Sequence, residues 1–232
     1  MNFELAFSYV FKDPDWIKKV LIISVIQLIP ILGQLVAAGW MLEITRRVGR
    51  GETPEHCLPD LDFGTQLLDG LKMLLVGFVY FIPVLIFLVP VILIWIPWAN
   101  YNQDPLIFVG TLSFICGMGL LILYGIALAF LMPAALGRMA MKDSLGAAFH
   151  FGEVFKLIKR APMAYLIVVL GGWVASLIAP LGGALFGIGA VLTATYANAI
   201  NGHLYGQAYR EAIPQAAVAP QQPVYPSINQ GA

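Results

Sequence analysis

The sequence predicts an all-α, polytopic helical membrane protein, and the distribution of charge is the main reason. Four long runs contain no Asp, Glu, Lys or Arg, namely residues 20–42, 73–100, 106–136 and 161–201. A helix needs about 20 mainly apolar residues to cross the hydrocarbon core of a bilayer. Hydrophobic residues make up 59% of the chain and charged residues only 11%, far below the roughly 25% of a soluble domain.

Glycine and proline divide the apolar runs into shorter helical segments. We predict one transmembrane domain over residues 1–212, with apolar segments at about 20–42, 73–99, 106–133, 162–179 and 182–206. In the second segment Pro83, Pro90 and Pro97 recur every seven residues. Each proline lacks a backbone donor and clashes with the preceding turn, so we expect these prolines to break or bend the helix. The predicted architecture is a set of proline-broken hairpins.

Three amphipathic stretches precede the apolar segments, at residues 2–12, 62–72 and 141–160. Each places aromatic and aliphatic side chains on one helical face and charged side chains on the other, which is typical of helices that lie at a membrane surface. The last residues, 213–232, are rich in Pro and Gln. They carry too little apolar surface to fold, so we predict a disordered cytoplasmic tail.

The basic residues predict the orientation. None of the thirteen Lys and Arg residues lies in residues 100–105 or near Pro180, and cytoplasmic loops carry an excess of these residues. These two turns should therefore face outward. We expect a multi-pass protein of the cytoplasmic (inner) membrane of a prokaryote, with a cytoplasmic C-terminus.

The path of residues 20–42 has two solutions. A single kinked span has sufficient length, but it leaves Lys12, Lys18 and Lys19 outside. A short hairpin that turns between Pro30 and Gly33 keeps every basic residue on the cytoplasmic side, although each arm then covers only about half a bilayer. Length favours the single span, and the charge distribution favours the hairpin.

The sequence carries no catalytic or metal-binding motif. His56, Cys57, His150 and His203 lack the spacing of metal ligands, and no GxSxG or phosphate-binding loop is present. A net charge of zero offers no basic face for nucleic acid. We therefore expect a protein that is not an enzyme, has no cofactor or metal and does not bind nucleic acid.

Small and polar residues in the apolar segments have two interpretations. Gln27 and Gln34 are seven residues apart and share a helical face, and Asn198 and Asn201 lie near the inner end of the last helix. They predict either hydrogen bonds between helices or contacts to a substrate.

The small-residue motif from Gly183 to Gly187 permits close approach of another backbone. That backbone would belong to this chain, to a second copy or to another membrane protein. Besides the lipid bilayer, we therefore expect a possible protein partner or self-association through the last helix.

Two functions remain open. The first is a non-enzymatic component that organises, senses or anchors at the membrane through its amphipathic stretches. The alternative is a transporter of small solutes or lipids, built around the glutamines and asparagines. The charge-free segments argue against ion-coupled transport, because such carriers usually place ionisable groups at mid-membrane.

Several short motifs of this sequence are similar to those of one protein family. They are FxDxxWxxK within residues 6–19, LIPILG at residues 28–33, and LPD, DFG and DGLK within residues 58–72. The chain, over most of residues 3–210, resembles the bacterial and archaeal membrane proteins of domain of unknown function 4013. It is more loosely similar to the membrane domains of some glycerophosphodiester phosphodiesterases. The resemblance implies a helical membrane domain with amphipathic segments, and it implies no catalytic residues.

Overall fold

The computed structural model describes residues 1–101, 104–184 and 188–213, and it confirms the all-α prediction. No strand occurs among these residues. The α-helices are α1 (Phe3–Ser8), α2 (Trp16–Gln27), α3 (Leu32–Arg50), α4 (Phe63–Tyr101), α5 (Asp104–Lys142), α6 (Leu145–Ala148), α7 (Phe151–Arg160), α8 (Pro162–Leu181) and α9 (Ile188–Ala212). Of the predicted tail, residues 213–232, all but Ile213 lie outside the described residues.

The first apolar segment folds back on itself as a hairpin of α2 and α3. The Lys19 ammonium and the Arg47 guanidinium both donate to the Leu58 carbonyl oxygen, at 3.0 and 3.4 Å. Both residues therefore lie at the same end of the fold. A straight helix would separate residues 28 positions apart by about 42 Å. The hairpin is thus the correct alternative, and the single kinked span is wrong.

Close backbone packing joins α3 to its neighbours. A Cβ atom on Gly39 would overlap the Gln66 carbonyl oxygen of α4, and one on Gly70 of α4 would overlap the Leu35 carbonyl oxygen of α3. On the side of α9, a Cβ on Gly206 would approach the Thr45 carbonyl oxygen to 2.7 Å. Larger residues at these positions would separate the helices, so glycine sets their spacing.

Helices α4 and α5 form a much longer hairpin. Each has 39 residues, or about 58 Å at 1.5 Å per residue. Pro83, Pro90 and Pro97 do not break this segment, because α4 continues past all three, and the expected bends stay a prediction. A proline removes one hydrogen bond of the ladder, and a bilayer offers the freed carbonyl no water as a competing partner. The helix therefore remains the favoured backbone conformation.

Two stretches within the described residues are long and apolar enough to cross a membrane, Phe63–Val89 and Gly110–Lys142. A third candidate is the pair Phe151–Arg160 and Pro162–Ile178, which is bent by 95°. The fold is therefore that of a helical membrane protein with two or three candidate spans.

The predicted amphipathic stretch 62–72 forms the first turns of α4, and its polar face is the buried one. Gln66 and Asp69 are each only 3% exposed, whereas Leu68 is 61% exposed. The polar face packs against α3, where Arg46 pairs with Asp69. Since lipid can cover leucine and cannot satisfy a carboxylate, the inward polar face is the arrangement expected in a membrane.

Candidate functional site

Helix α7 has the most distinctive surface of the described residues. At 100° per residue its side chains divide into three sectors. Val154 and Leu157 are buried against the rest of the protein. Next around the helix come Phe151 and Phe155, which are 54% and 52% exposed. The sector after these aromatic side chains carries the exposed cations Lys156, Lys159 and Arg160.

Interactions on the surface of α7 hold part of this charge in place. Glu153 accepts from Lys156 at 2.7 Å and lies 3.7 Å from Arg138 of α5. The Lys159 ammonium stands 4.7 Å above the ring centre of Phe155, a cation–π distance. α7 carries one carboxylate against three cations, so its exposed face is positively charged.

A buried ion network ties α3 to the bases of α4 and α5. The Arg46 guanidinium, in a residue only 7% exposed, donates to Asp69 at 3.0 Å and to Asp143 at 3.2 Å. It also pairs with Glu43 on its own helix, and its Nε donates to the Ala140 carbonyl oxygen at 3.2 Å. All three guanidinium nitrogens donate to an oxygen, so the network connects α3 to α4 and to the end of α5.

Sequence reasoning missed this network. Arg46 is one of three arginines that follow the first apolar segment, and the sequence does not distinguish it from Arg47 or Arg50. An available signal was the acidic Asp69 in the DGLK motif at the start of the next segment, because a carboxylate so close to an apolar run needs a cationic partner. The sequence does not identify which cation that is.

The structure engages Gln27 and Gln34 within the protein. The Gln27 amide donates to the Thr195 hydroxyl of α9, and the Ser24 hydroxyl lies 2.7 Å from the same oxygen. The Gln34 amide donates to the Gln27 carbonyl oxygen at 3.4 Å. These contacts have the form of hydrogen bonds between and within packed helices.

The other predicted residues lie on or near α9 and are not brought together with the glutamines. Asn198 is half-buried. The Oδ1 atom of Asn201 is buried with no hydrogen-bond partner among the described residues. A Cβ on Gly183 would have no atom within 4 Å, and Gly187 lies outside the described residues.

The described residues contain no group of three His, Cys, Asp or Glu side chains that could hold a metal ion. Cys57 is buried, and its thiol lies 3.3 Å from the Thr53 carbonyl oxygen. Burial raises the pKa of this thiol to about 12, and a protonated thiol is a poor nucleophile and metal ligand.

The fold and these sites define a helical membrane protein with a positively charged surface helix, α7. The family model described as protein of unknown function (DUF4013) matches residues 22–188, and the chain belongs to that family. No curated protein and no solved structure matches the sequence. The looser similarity to phosphodiesterase membrane domains stays a prediction.

Proposed function

We propose that this protein is a non-enzymatic component that organises, senses or anchors at the cytoplasmic leaflet of a prokaryotic inner membrane, and that α7 makes the contact with lipid. The observation that carries the proposal is the 95° bend between α7 and α8. With α8 along the membrane normal, this bend lays α7 in the membrane plane.

The three sectors of α7 match the layers of a leaflet. Phe151 and Phe155 are placed to enter the boundary between headgroups and acyl chains, as aromatic side chains of interfacial helices do. The cations beside them lie at the level of the phosphates. Lys156 is already paired with Glu153, which leaves Lys159 and Arg160 to attract anionic lipid. Two such charges contribute about 2 kcal/mol, or roughly thirtyfold in binding.

A fluorescence experiment tests this role on the full chain in lipid nanodiscs. Gly152 lies between Lys159 and Lys156 around the helix, and a Cβ there meets no atom within 4 Å. A polarity-sensitive dye on Gly152→Cys, with Cys57 and Cys116 replaced by serine, should report deeper burial in anionic than in neutral lipid. Replacing Lys156, Lys159 and Arg160 by glutamine should abolish that difference.

A matched control removes the same number of charges elsewhere. Lys12, Lys18 and Arg50 are exposed at the basic end of the fold, and changing all three to glutamine should leave the dye response intact. An equal loss in both triple variants would show that net charge alone governs the response. If the dye responds equally in anionic and neutral lipid when all the charged residues are present, the proposal is rejected.

The transporter alternative draws support from the polar side chains inside apolar helices, above all Gln27. We favour membrane organisation because the Gln27 amide and the Ser24 hydroxyl both bond to the Thr195 hydroxyl, so these polar groups already have partners within the protein. Reproducible solute flux or lipid scrambling in liposomes, lost in a folded Gln34→Leu or Asn198→Leu variant, would support transport instead.

A protein partner or a second copy at the last helix is a further part of the proposal. It rests on the predicted small-residue motif and on the open space beside Gly183. A larger residue at a helix contact would disrupt it, so Gly183→Leu should reduce any oligomer or co-purified partner seen in mild detergent. An unchanged assembly would place the contact elsewhere.

A further inference from the structure

A cavity of about 910 Å³ lies between the N-terminal segment, the end of α3 with its following loop, and the last turns of α9. This volume is in the range that holds small organic ligands. Its walls include the apolar side chains of Leu5 and Val48 and the thiol of Cys57. The cavity is separate from α7, so an inference about it does not depend on the proposed lipid contact.

Helix α9 presents polar side chains to the cavity at positions 203, 207 and 210. This spacing of four and three residues puts His203, Gln207 and Arg210 on one helical face. His203 is only 2% exposed, and its ring stacks on Tyr9 with centroids 4.2 Å apart. A buried polar ring in a cavity wall is costly unless its nitrogens find partners.

Hydrogen bonds to the N-terminal segment determine which imidazole nitrogen is the donor. The backbone N–H of Asn2 donates to Gln207 Oε1 at 2.7 Å, and Gln207 Nε2 donates to the Asn2 carbonyl oxygen at 3.0 Å. The same Nε2 lies 2.8 Å from Nδ1 of His203, so Nδ1 accepts. In the neutral ring the proton is then on Nε2, which remains able to donate to a ligand.

The charged side chains that line the cavity favour a ligand with a single negative charge. Glu211 pairs with the Met1 amino group at 2.9 Å. Arg210 lies over Gly51, with its guanidinium carbon 3.3 Å from a Cβ placed there, and forms no ion pair within the described part of the chain. Glu52 stands on the same lining and would repel a polyanion.

From these features we infer that the cavity binds a small organic monoanion, a carboxylate or phosphate diester that carries apolar carbons. Arg210 and the Nε2–H of His203 donate to the anionic group, because both side chains are long enough to converge from positions about 10 Å apart along α9. Leu5, Val48 and Cys57 contact the apolar carbons.

Calorimetric titration of the full chain in neutral-lipid nanodiscs tests this inference, with empty nanodiscs as the blank. The probes are benzoate, diphenyl phosphate and inorganic phosphate. Saturable binding of benzoate or diphenyl phosphate is expected, and whichever binds more tightly identifies the acid group. Inorganic phosphate should bind at least about tenfold more weakly, since it makes no apolar contact.

Two variants assign the donors. Arg210→Gln removes the cation, and His203→Phe keeps a ring to stack on Tyr9 while removing the donor. Each should weaken binding about tenfold or more, the usual effect of losing a hydrogen bond to a charged group. Arg50→Gln removes an exposed charge that does not line the cavity and should bind as the wild type does.

Three results would overturn the inference. They are the absence of saturable binding by the unaltered protein, wild-type affinity in a folded Arg210→Gln variant, and equal affinity for inorganic phosphate and diphenyl phosphate. Because Arg210 is exposed, its substitution should not prevent folding, which keeps the test decisive if His203→Phe is unstable.

Discussion

The α2–α3 and α4–α5 hairpins are both apolar, yet the chain uses them in opposite ways. The α2–α3 hairpin is short and pressed against α4 and α9, with glycines at the points of contact. Along α4 and α5, Gly77, Gly119 and Gly125 have no atom within 4 Å of a Cβ position. The same residue type therefore sets the helix spacing where α3 meets its neighbours and faces open surroundings farther along α4 and α5.

This difference shows that apolar composition does not identify the core of a membrane protein. Leucine-rich surfaces of α4 and α5 are left for lipid to cover, while the base of α4 turns Gln66 and Asp69 inward. Lipid tails are as apolar as leucine, so burying leucine provides little driving force between helices. Close backbone contact and polar pairing take over that role.

A pair of substitutions on α4 tests most directly the difference between a glycine at a helix contact and a glycine away from one. Gly70→Ala should prevent assembly or cost more than about 3 kcal/mol, because its Cβ would overlap a carbonyl oxygen of α3, beyond ordinary overpacking. Gly77→Ala should be neutral or slightly stabilising, since alanine favours helix over glycine. Thermal unfolding monitored by size-exclusion chromatography checks both, and equal stability of the two variants would contradict close packing of α3 on α4.

The buried ion network should give the next largest effect. Asp69→Asn removes the most buried partner of Arg46, while Glu43 and Asp143 still pair with its charge, so the change should cost about 1–3 kcal/mol. Glu153→Gln, which removes an exposed carboxylate on α7, should cost less than about 1 kcal/mol. Denaturation in detergent measures both.

A double variant tests whether Arg46 and Asp69 stabilise the protein as a pair. Arg46→Met combined with Asp69→Leu removes both members of the pair, so it should be more stable than Asp69→Asn alone. A double variant as unstable as the sum of its single variants would show that the network does not act as a pair.

The hairpin path of residues 20–42 predicts the result of cysteine labelling. Lys12 and Glu55 are exposed, on either side of the α2–α3 hairpin in sequence. In a background without Cys57 and Cys116, Lys12→Cys and Glu55→Cys should label from the same side of the membrane, the cytoplasmic one. An impermeant maleimide on intact cells and on inverted vesicles measures this, and labelling from opposite sides would restore the single span.

The smallest expected effect concerns Cys57 and pH. Its pKa is raised to about 12 by burial, above the roughly 8.5 of an unfolded thiol. Its contribution to the free energy of unfolding is complete below about pH 8.5 and should be lost as the pH rises toward 12. A Cys57→Ser variant should lack this loss of stability in a pH series of unfolding curves, and parallel curves for both proteins would contradict it.

The sequence by itself determined the membrane class, the helical fold and the positions of the apolar segments. Charge-free runs of this length predict membrane-spanning segments, and a helix satisfies its backbone hydrogen bonds inside lipid. The positions of the basic residues also favour the α2–α3 hairpin.

Only the tertiary structure decided which faces are buried and which side chains meet. It assigned Asp69 to Arg46, joined Gln27 to Thr195 and turned α7 across α8. It also showed that α4 continues as one helix past three prolines. Helical periodicity places residues on faces, but in a chain that is apolar on most sides it does not state which face meets protein and which meets lipid. That choice depends on hydrogen bonds and close contacts between residues distant in sequence.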